Sequence, residues 1–156
     1  MNDVEAMDRC IELAREALER GDHPFGSVLV RDGQILAEGQ NRVNSKFDPT
    51  AHAESEAIRE ACKALETLDL TGYTLYASGE PCWMCSLVIR QARIDRVVIG
   101  ELSRWSTGGY SSRYTVLTDE IPDRFGPPPA VVTGVLADQC KALLDAAGWI
   151  TPPRLV

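Results

Sequence analysis

The sequence has little of several features that indicate a membrane, secreted or nucleic-acid-binding protein. It holds no apolar run near the ~18 residues needed to cross a bilayer. Its acidic, amphipathic start, "MNDVEAMDRCIELAREALERG", is unlike a secretory signal. It has no cluster of Lys and Arg, and its net charge is −7 at pH 7. Because binding to a phosphate backbone usually needs a basic surface, we expect neither a membrane nor a nucleic acid as a partner.

Cysteine and histidine are also scarce, with five cysteines and two histidines in 156 residues. An odd number of cysteines does not fit a framework of paired disulfides, and without a secretory signal they are better read as thiols or metal ligands in a reducing compartment. A cytoplasmic location is therefore expected. At 156 residues the chain is long enough to bury a core, and 44% of its residues are hydrophobic. We expect one domain over residues 1–156.

The first half of the chain predicts a hairpin with one helix before it and one helix after it. Apolar residues at helical spacing predict a helix over about residues 3–20, stopped by Gly21. The dipeptide Asp32-Gly33 separates two apolar runs and predicts a tight hairpin turn. A second helix is predicted within "DPTAHAESEAIREACKALETL", capped by Asp48 or Thr50. Its predicted buried face consists of Ala57, Ile58, Ala61, Cys62 and Leu65.

The second half predicts three more strands and two more helices. The strands are "YTLYAS", "RVVIG" and "AVVTGVL", and a long irregular stretch (101–128) precedes the last of them. Pro81 suits the first position of a helix, "CWMCSLVIRQA", and the closing helix "ADQCKALLDAA" is stopped by Gly148. A hairpin joined to parallel crossovers predicts an α/β fold, a three-layer α/β/α sandwich around a five-stranded mixed sheet.

The pair Cys82 and Cys85 is the first chemical signal. The two cysteines are three apart at the start of a predicted helix, where the positive end of the helix dipole favours thiolates. A thioredoxin-like redox couple normally follows the first strand of its sheet, whereas this pair follows the third. A structural zinc clip needs four Cys or His ligands, and the chain offers only one such pair. Both remain alternatives to a catalytic metal site.

The two histidines are the candidates for a third metal ligand beside Cys82 and Cys85. His23, in "GDHPFG", has no acidic or sulfur neighbour at ligand spacing and is read as a loop histidine. His52 precedes Glu54 by two residues, the wrong spacing for one face of a regular helix, but side chains of a first turn can converge beyond the helix end. With Cys82 and Cys85, His52 supplies three ligands for a tetrahedral zinc whose fourth position is open for water. An open position is typical of catalytic zinc, and Glu54 is the predicted acid and base.

These motifs resemble a known superfamily. "DPTAHAESEAIREA" and "TLYASGEPCWMC" are similar to the paired H-x-E and P-C-x-x-C motifs of the cytidine-deaminase-like superfamily, in the branch of bacterial guanine, fungal cytosine and tRNA adenosine deaminases. The resemblance covers residues 25–100 well and 134–144 more loosely. It implies a cytidine-deaminase-like fold, zinc-dependent hydrolytic deamination with Glu54 as proton carrier, and a homodimer.

The resemblance also implies a set of substrate contacts. Asn41 would hydrogen-bond the base, and the Glu80 carbonyl would accept from the exocyclic amine. Phe25 would stack on a flat ring, Trp105 would close the pocket, and Ala53 would contribute from the HAE motif. The alternatives are a turn role for Asn41, core packing for Phe25 and a buried loop position for Trp105.

Four functions are compatible with the sequence. A small free base, guanine or a related amino-substituted ring, is the first expectation because "PFG", "IREACKALETL" and "LYASGEPCWMC" look most like guanine deaminases. Cytosine, a nucleoside or an aminotriazine is the second. Adenosine in tRNA is the third. It ranks below the free bases because residues 119–156 hold three cations against five acids and lack the basic tail expected of a tRNA-binding enzyme. A non-catalytic zinc-stabilised module is the fourth, and Glu54 beside an open ligand position argues against it.

Overall fold

The computed structural model describes residues 1–102, 115–117 and 119–148. Its strands are β1 Gly26–Arg31, β2 Gln34–Gln40, β3 Thr74–Gly79, β4 Arg96–Glu101 and β5 Ala130–Thr133. Its α-helices are α1 Asp3–Arg20, α2 Val43–Lys46, α3 Ala53–Leu65, α4 Trp83–Gln91 and α5 Ala137–Ala146. Two short 3-10 helices, Thr115–Leu117 and Asp123–Phe125, lie between β4 and β5.

The strands form one mixed sheet in the order β2-β1-β3-β4-β5. Strand β1 is antiparallel to both β2 and β3, whereas β3, β4 and β5 are parallel. One core cluster joins α3 and α4 to one face of the sheet, and a second joins α1 and α5 to the other. The predicted three-layer α/β/α sandwich with a five-stranded mixed sheet is therefore confirmed, and the last strand runs parallel to β4.

Helix α1 has the bounds that its sequence predicts, because both ends are set locally. The Asn2 side chain accepts a hydrogen bond from the Glu5 N–H, and the Glu5 carboxylate accepts one from the Asn2 N–H. This reciprocal cap satisfies two of the amides that a helix start leaves without partners. At the other end Gly21 adopts a left-handed conformation with φ 93°, which ends the helix.

The hairpin between β1 and β2 is also confirmed, and its second strand fixes the start of α3. Asp32 and Gly33 have φ values of 51° and 73°, as the tight turn requires. Further along β2, a Cβ on Gly39 would lie 1.9 Å from the Ala53 carbonyl oxygen. Only glycine allows the strand to approach the first turn of α3 this closely, so β2 positions the residues that open this helix.

Helix α3 begins later than predicted. Its N-cap is His52, not Asp48 or Thr50, and its first helical residue is Ala53. Asp48 instead accepts hydrogen bonds from the N–H and hydroxyl of Thr50, in a turn that precedes the helix. At the far end, Leu65 is 38% exposed rather than buried, so the apolar face of α3 ends one turn early.

Helix α4 also begins later than predicted. Its N-cap is Cys82, because the Cys82 carbonyl accepts the first helical hydrogen bond from the Ser86 N–H (2.8 Å), and Pro81 precedes the cap. Strand β5 ends at Thr133 and not at Leu136, since Gly134 and Leu136 have positive φ values. In the ranges that the structure describes, no helix is long and apolar enough to span a membrane.

Candidate active site

The candidate site lies where the N-termini of α3 and α4 meet. His52 and Cys82 are the N-cap residues of these helices, both with extended backbone conformations, and neither side chain caps its own helix. Their side chains turn toward each other instead. Nδ1 of His52 lies 3.4 Å from Sγ of Cys82 and 3.6 Å from Sγ of Cys85. These three ligand atoms form the one metal-competent group of Cys, His, Asp and Glu among the described residues.

The spacing of the three atoms fits tetrahedral zinc. Zinc bonds of about 2.3 Å to sulfur and about 2.0–2.1 Å to nitrogen place N and S about 3.5–3.6 Å apart in a tetrahedron. The two observed N···S distances, 3.4 and 3.6 Å, lie close to that value. Cys85 is fully buried, whereas His52 and Cys82 are half-buried. The group therefore has one fully buried member and two that are partly accessible, and among the described residues it has three protein ligand atoms.

The protonation of the thiols also suits a metal. A hydrogen bond from Cys85, together with one from His52, lowers the pKa of Cys82 to about 4, although burial opposes the shift. The hydrogen bond to Cys82 raises the pKa of His52. The hydrogen bond between Cys85 and Cys82, together with burial, raises the pKa of Cys85. The shifts of the two thiols therefore run in opposite directions, and a bound cation would favour the thiolate form at both sulfurs.

Glu54 reaches the same place although its spacing from His52 does not fit one helix face. His52 belongs to the cap and not to the helix, so the helical periodicity does not apply between the two residues. Oε2 of Glu54 lies 3.6 Å from Sγ of Cys85, and the residue is 7% exposed. Burial and the neighbouring Cys82 raise the pKa of Glu54 to about 7. A carboxyl group with that pKa can both accept and release a proton near neutral pH.

Asn41 is buried, and its neighbour in the chain contacts the residue that precedes His52. Its Oδ1 accepts hydrogen bonds from the N–H groups of His23 (3.4 Å) and Val43 (3.2 Å). The neighbouring Arg42 N–H donates to the Ala51 carbonyl (2.9 Å), which ties this segment to the residue before His52. Within the described part of the chain, the Asn41 amide NH2 has no protein acceptor. Asn41 directly follows β2, which ends at Gln40, and its bond from the Val43 N–H forms a local turn of the kind that its alternative reading required. Its contact with a base stays a prediction.

Three of the other residues predicted to contact the substrate lie among the described residues, and their contacts with it stay predictions. The Phe25 ring packs on the backbone of Gly79, where a Cβ would lie 2.7 Å from Cε1 of the ring. Gly79 ends β3, and the Glu80 N–H donates to the Glu101 carbonyl (3.0 Å) just before the cysteine loop. Ala53 is fully buried as the first residue of α3. Trp105 lies outside the described residues, so its predicted role remains a prediction.

Two features of the site were missed by the sequence analysis. Ser55 is buried, and its hydroxyl lies 3.5 Å from Sγ of Cys85, so it can hold this predicted ligand in place by a hydrogen bond. Asp22 is also buried, and its carboxylate accepts a hydrogen bond from the N–H of Ser45, four residues after Asn41. A serine directly after Glu54 on the buried face of a helix was the available signal for the first. The second had none, since its main partner is 23 residues away.

The chain matches the family described as the cytidine and deoxycytidylate deaminase zinc-binding region over residues 1–101. It is 40% identical over 140 residues to a tRNA-specific adenosine deaminase of Bacillus subtilis, covering 90% of this chain and 84% of that protein. It is 50% identical over 94 residues to the guanine deaminase of Bacillus subtilis, covering 60% of each chain. Among solved structures, a tRNA:A34 deaminase from work on A-to-I editing matches with a TM-score of 0.79 and 35% identity, covering 90% of this chain and 99% of that one.

The three-ligand set predicts which cysteines hold the metal. Replacing either Cys82 or Cys85 by serine should reduce the zinc content of the purified protein from about one ion per chain to a small fraction, because a zinc site with two remaining protein ligands binds weakly. Cys62→Ser is the matched control, since Cys62 lies on α3 outside the group and should keep its zinc. Elemental analysis measures the content. Full zinc in the Cys82→Ser protein would contradict the assignment.

Proposed function

The chain belongs to the cytidine and deoxycytidylate deaminase zinc-binding family, and on this premise we propose that it deaminates a free nucleobase by hydrolysis. Guanine or a related amino-substituted ring is the proposed substrate, with cytosine, a nucleoside or an aminotriazine as alternatives within the same chemistry. The observation that carries the proposal is the convergence of His52, Cys82 and Cys85 beside the buried carboxyl of Glu54. A purely structural zinc site would not need a buried acid with a pKa near 7.

The proposed reaction needs one proton carrier and one anchored ring. Zinc held by His52, Cys82 and Cys85 would lower the pKa of a bound water toward about 7. Glu54 would accept one proton from water as the water oxygen bonds to the ring carbon that carries the amine. Glu54 would then give this proton to the adjacent ring nitrogen, and would carry the second proton, from the hydroxyl now bonded to the ring carbon, to the departing amine. The C–N bond breaks, ammonia leaves and a carbonyl remains, so one water is consumed for each amine released.

Charge supports a small free base over a polynucleotide. The net charge of −7 gives no general attraction to phosphate, and residues 119–156 hold five acids and three cations. A protein that neutralises few phosphates gains little from counterion release. The Phe25 ring, held against Gly79 near the cysteine loop, offers a surface on which a flat ring can stack.

Adenosine in tRNA is the second candidate, and the comparisons favour it. The likeness to tRNA-specific adenosine deaminases extends over most of the chain, whereas the likeness to guanine deaminase is stronger but covers a shorter part. This conflicts with the expectation that no nucleic acid is a partner. The two candidates share the metal, the acid and the chemistry, and differ only in what surrounds the amine.

We also propose that the protein forms a homodimer and lies in the cytoplasm. Trp83 is 52% exposed and Leu87 is 37% exposed on α4, next to the cysteine pair. A second copy of the chain that packs against this helix would bury both side chains, which supports the expected homodimer. None of the five cysteines forms a disulfide, which suits a reducing compartment and the proposed cytoplasmic location.

Glu54→Gln should keep the zinc and the fold but lose most of the activity, because an amide cannot accept a proton from water. We expect kcat to fall by about a hundred- to ten-thousand-fold, the usual contribution of a general acid–base group. Glu60→Gln is the matched control, since it makes the same change on the exposed side of the same helix. Steady-state ammonia release measures both variants. A Glu54→Gln enzyme within a few-fold of the parent would contradict the assigned role.

The substrate proposal predicts that ammonia is released from a free base. The zinc-loaded protein is tested on guanine, cytosine, adenine, their nucleosides, aminotriazines and a tRNA with adenosine at the wobble position. We expect the highest kcat/KM on a free base, with guanine first, and weak dependence on salt concentration because few phosphates are contacted. Inosine formation in the tRNA with no ammonia from any free base would replace the first candidate by the second. No ammonia from any compound would contradict deamination itself.

A further inference from the structure

We propose that Asp22 is a positioning residue for the reaction, which fixes Asn41 so that its amide NH2 faces the ring. The inference rests on the proposed function, because it takes Asn41 as the contact to the base. Asp22 itself touches neither the metal-competent group nor the predicted substrate position. It acts through two chain segments, residues 20–23 and residues 41–45.

The Asp22 carboxylate lies at the centre of a buried hydrogen-bond network. Its side chain has no solvent exposure. Oδ1 accepts from the Ser45 N–H (2.9 Å), and Oδ2 accepts from the Ser45 hydroxyl (2.7 Å) and from Nε of Arg20 (2.7 Å). Burial alone would raise the pKa of Asp22, but the hydrogen bonds from Ser45 and Arg20 lower it to about 2. The group is therefore ionised at neutral pH and can accept all three hydrogen bonds.

Arg20 carries the network to the end of β2. Its Nη1 donates to Oε1 of Gln40 (2.7 Å), and its Nη2 donates to the carbonyl of Asn41 (2.9 Å). The Gln40 amide in turn donates to Glu16 on α1. With Nε bound to Asp22, the three nitrogens of one guanidinium join the end of α1 to the main chain of Asn41. Because a guanidinium is planar and rigid, Asp22 fixes the direction from which Asn41 is held.

Both donors to the Asn41 side chain belong to segments that Asp22 anchors. His23 is the next residue after Asp22, and its N–H donates to Oδ1 of Asn41. Val43 is two residues before Ser45, the residue that Asp22 binds twice, and its N–H also donates to Oδ1. If Asp22 released Ser45, the short helix α2 would lose two of the hydrogen bonds that place it and its first N–H, and would keep the bond from the Asn44 amide to the Gly21 carbonyl (3.0 Å).

The network selects one orientation of the Asn41 amide. With two N–H groups pointed at Oδ1, a flipped amide would set its NH2 group against two donors and leave all of them unpaired, which is costly in a buried site. Asn41 therefore presents its NH2 as a donor, and the position suits substrates with an acceptor, a carbonyl oxygen or an unprotonated ring nitrogen. Such a hydrogen bond exists in the ground state and the transition state alike, so its loss should appear chiefly in KM.

A double-mutant cycle on the zinc-loaded enzyme with guanine as the probe tests the proposal. Asp22→Asn puts an NH2 group where an acceptor oxygen is needed, so kcat/KM should fall by about ten-fold or more, mainly through KM, with zinc content unchanged. In the Asn41→Ala background, the same change should cost less than about three-fold, because the side chain through which Asp22 acts is already gone.

The controls separate positioning from general stabilisation. Asp69→Asn alters an aspartate that also accepts from the N–H and hydroxyl of one residue, Thr71, but on an exposed turn, and it should leave KM unchanged. Ser45→Ala removes one hydroxyl contact and serves as the milder variant if Asp22→Asn does not fold. It should show the same dependence on Asn41.

Three results would overturn the inference, and they are distinguishable. Equal losses from Asp22→Asn in both backgrounds would show that it does not act through Asn41. An Asn41→Ala enzyme with unchanged kinetics would remove the contact on which the inference rests, while deamination as such would stand. A parent enzyme that releases no ammonia from guanine or from any other free base would reject the proposed free-base function first, and the inference with it.

Discussion

The contact between the His52 imidazole and the thiols of Cys82 and Cys85 is the constraint on which the site depends. It forms because two helices begin side by side and because the residue at each start faces its neighbour instead of capping its own helix. Serine, threonine, aspartate or asparagine at these caps would satisfy the free amides of the helix start. The chain gives up that stabilisation at two helices, which is understandable if a metal ion occupies the space between them.

Two buried carboxyl groups near the site show how environment assigns different roles to similar side chains. Glu54 lies against thiols with little help from donors, and burial raises its pKa to about 7. Asp22 is as well buried, but three donors converge on it and lower its pKa to about 2. The first group can exchange protons near neutral pH, whereas the second stays charged and holds its partners in place.

Much of the fold follows from local signals, and the departures occur where distant contacts decide. The bounds of α1 and the turn at Asp32-Gly33 are set by neighbouring residues, so the sequence predicts them correctly. The predicted start of α3 is a few residues early because two preferred cap residues, Asp48 and Thr50, precede the true cap, His52. The predicted start of α4 is early because Pro81 suits a first helical position, whereas Cys82 is the cap.

The same limit applies to the site. The sequence predicts that His52, Cys82, Cys85 and Glu54 act together because their motifs are short and specific, and the structure brings the four side chains together. The four-residue helix α2 has no periodicity to detect and is held by Asp22, which lies on a different segment. The identity of the ring depends on contacts that no motif in this chain specifies, and this is why the free-base and tRNA candidates share every residue of the reaction centre.

The central claim is that three protein ligands hold zinc and leave one position open. X-ray absorption at the zinc edge of the purified protein tests it most directly. We expect two sulfur ligands at about 2.3 Å and two nitrogen or oxygen ligands at about 2.0–2.1 Å, one of which should exchange when a small inhibitor with an ionisable oxygen is added. A shell of four protein ligands that such an inhibitor leaves unchanged, or a protein without zinc whose Cys82 and Cys85 form a disulfide, would contradict the account.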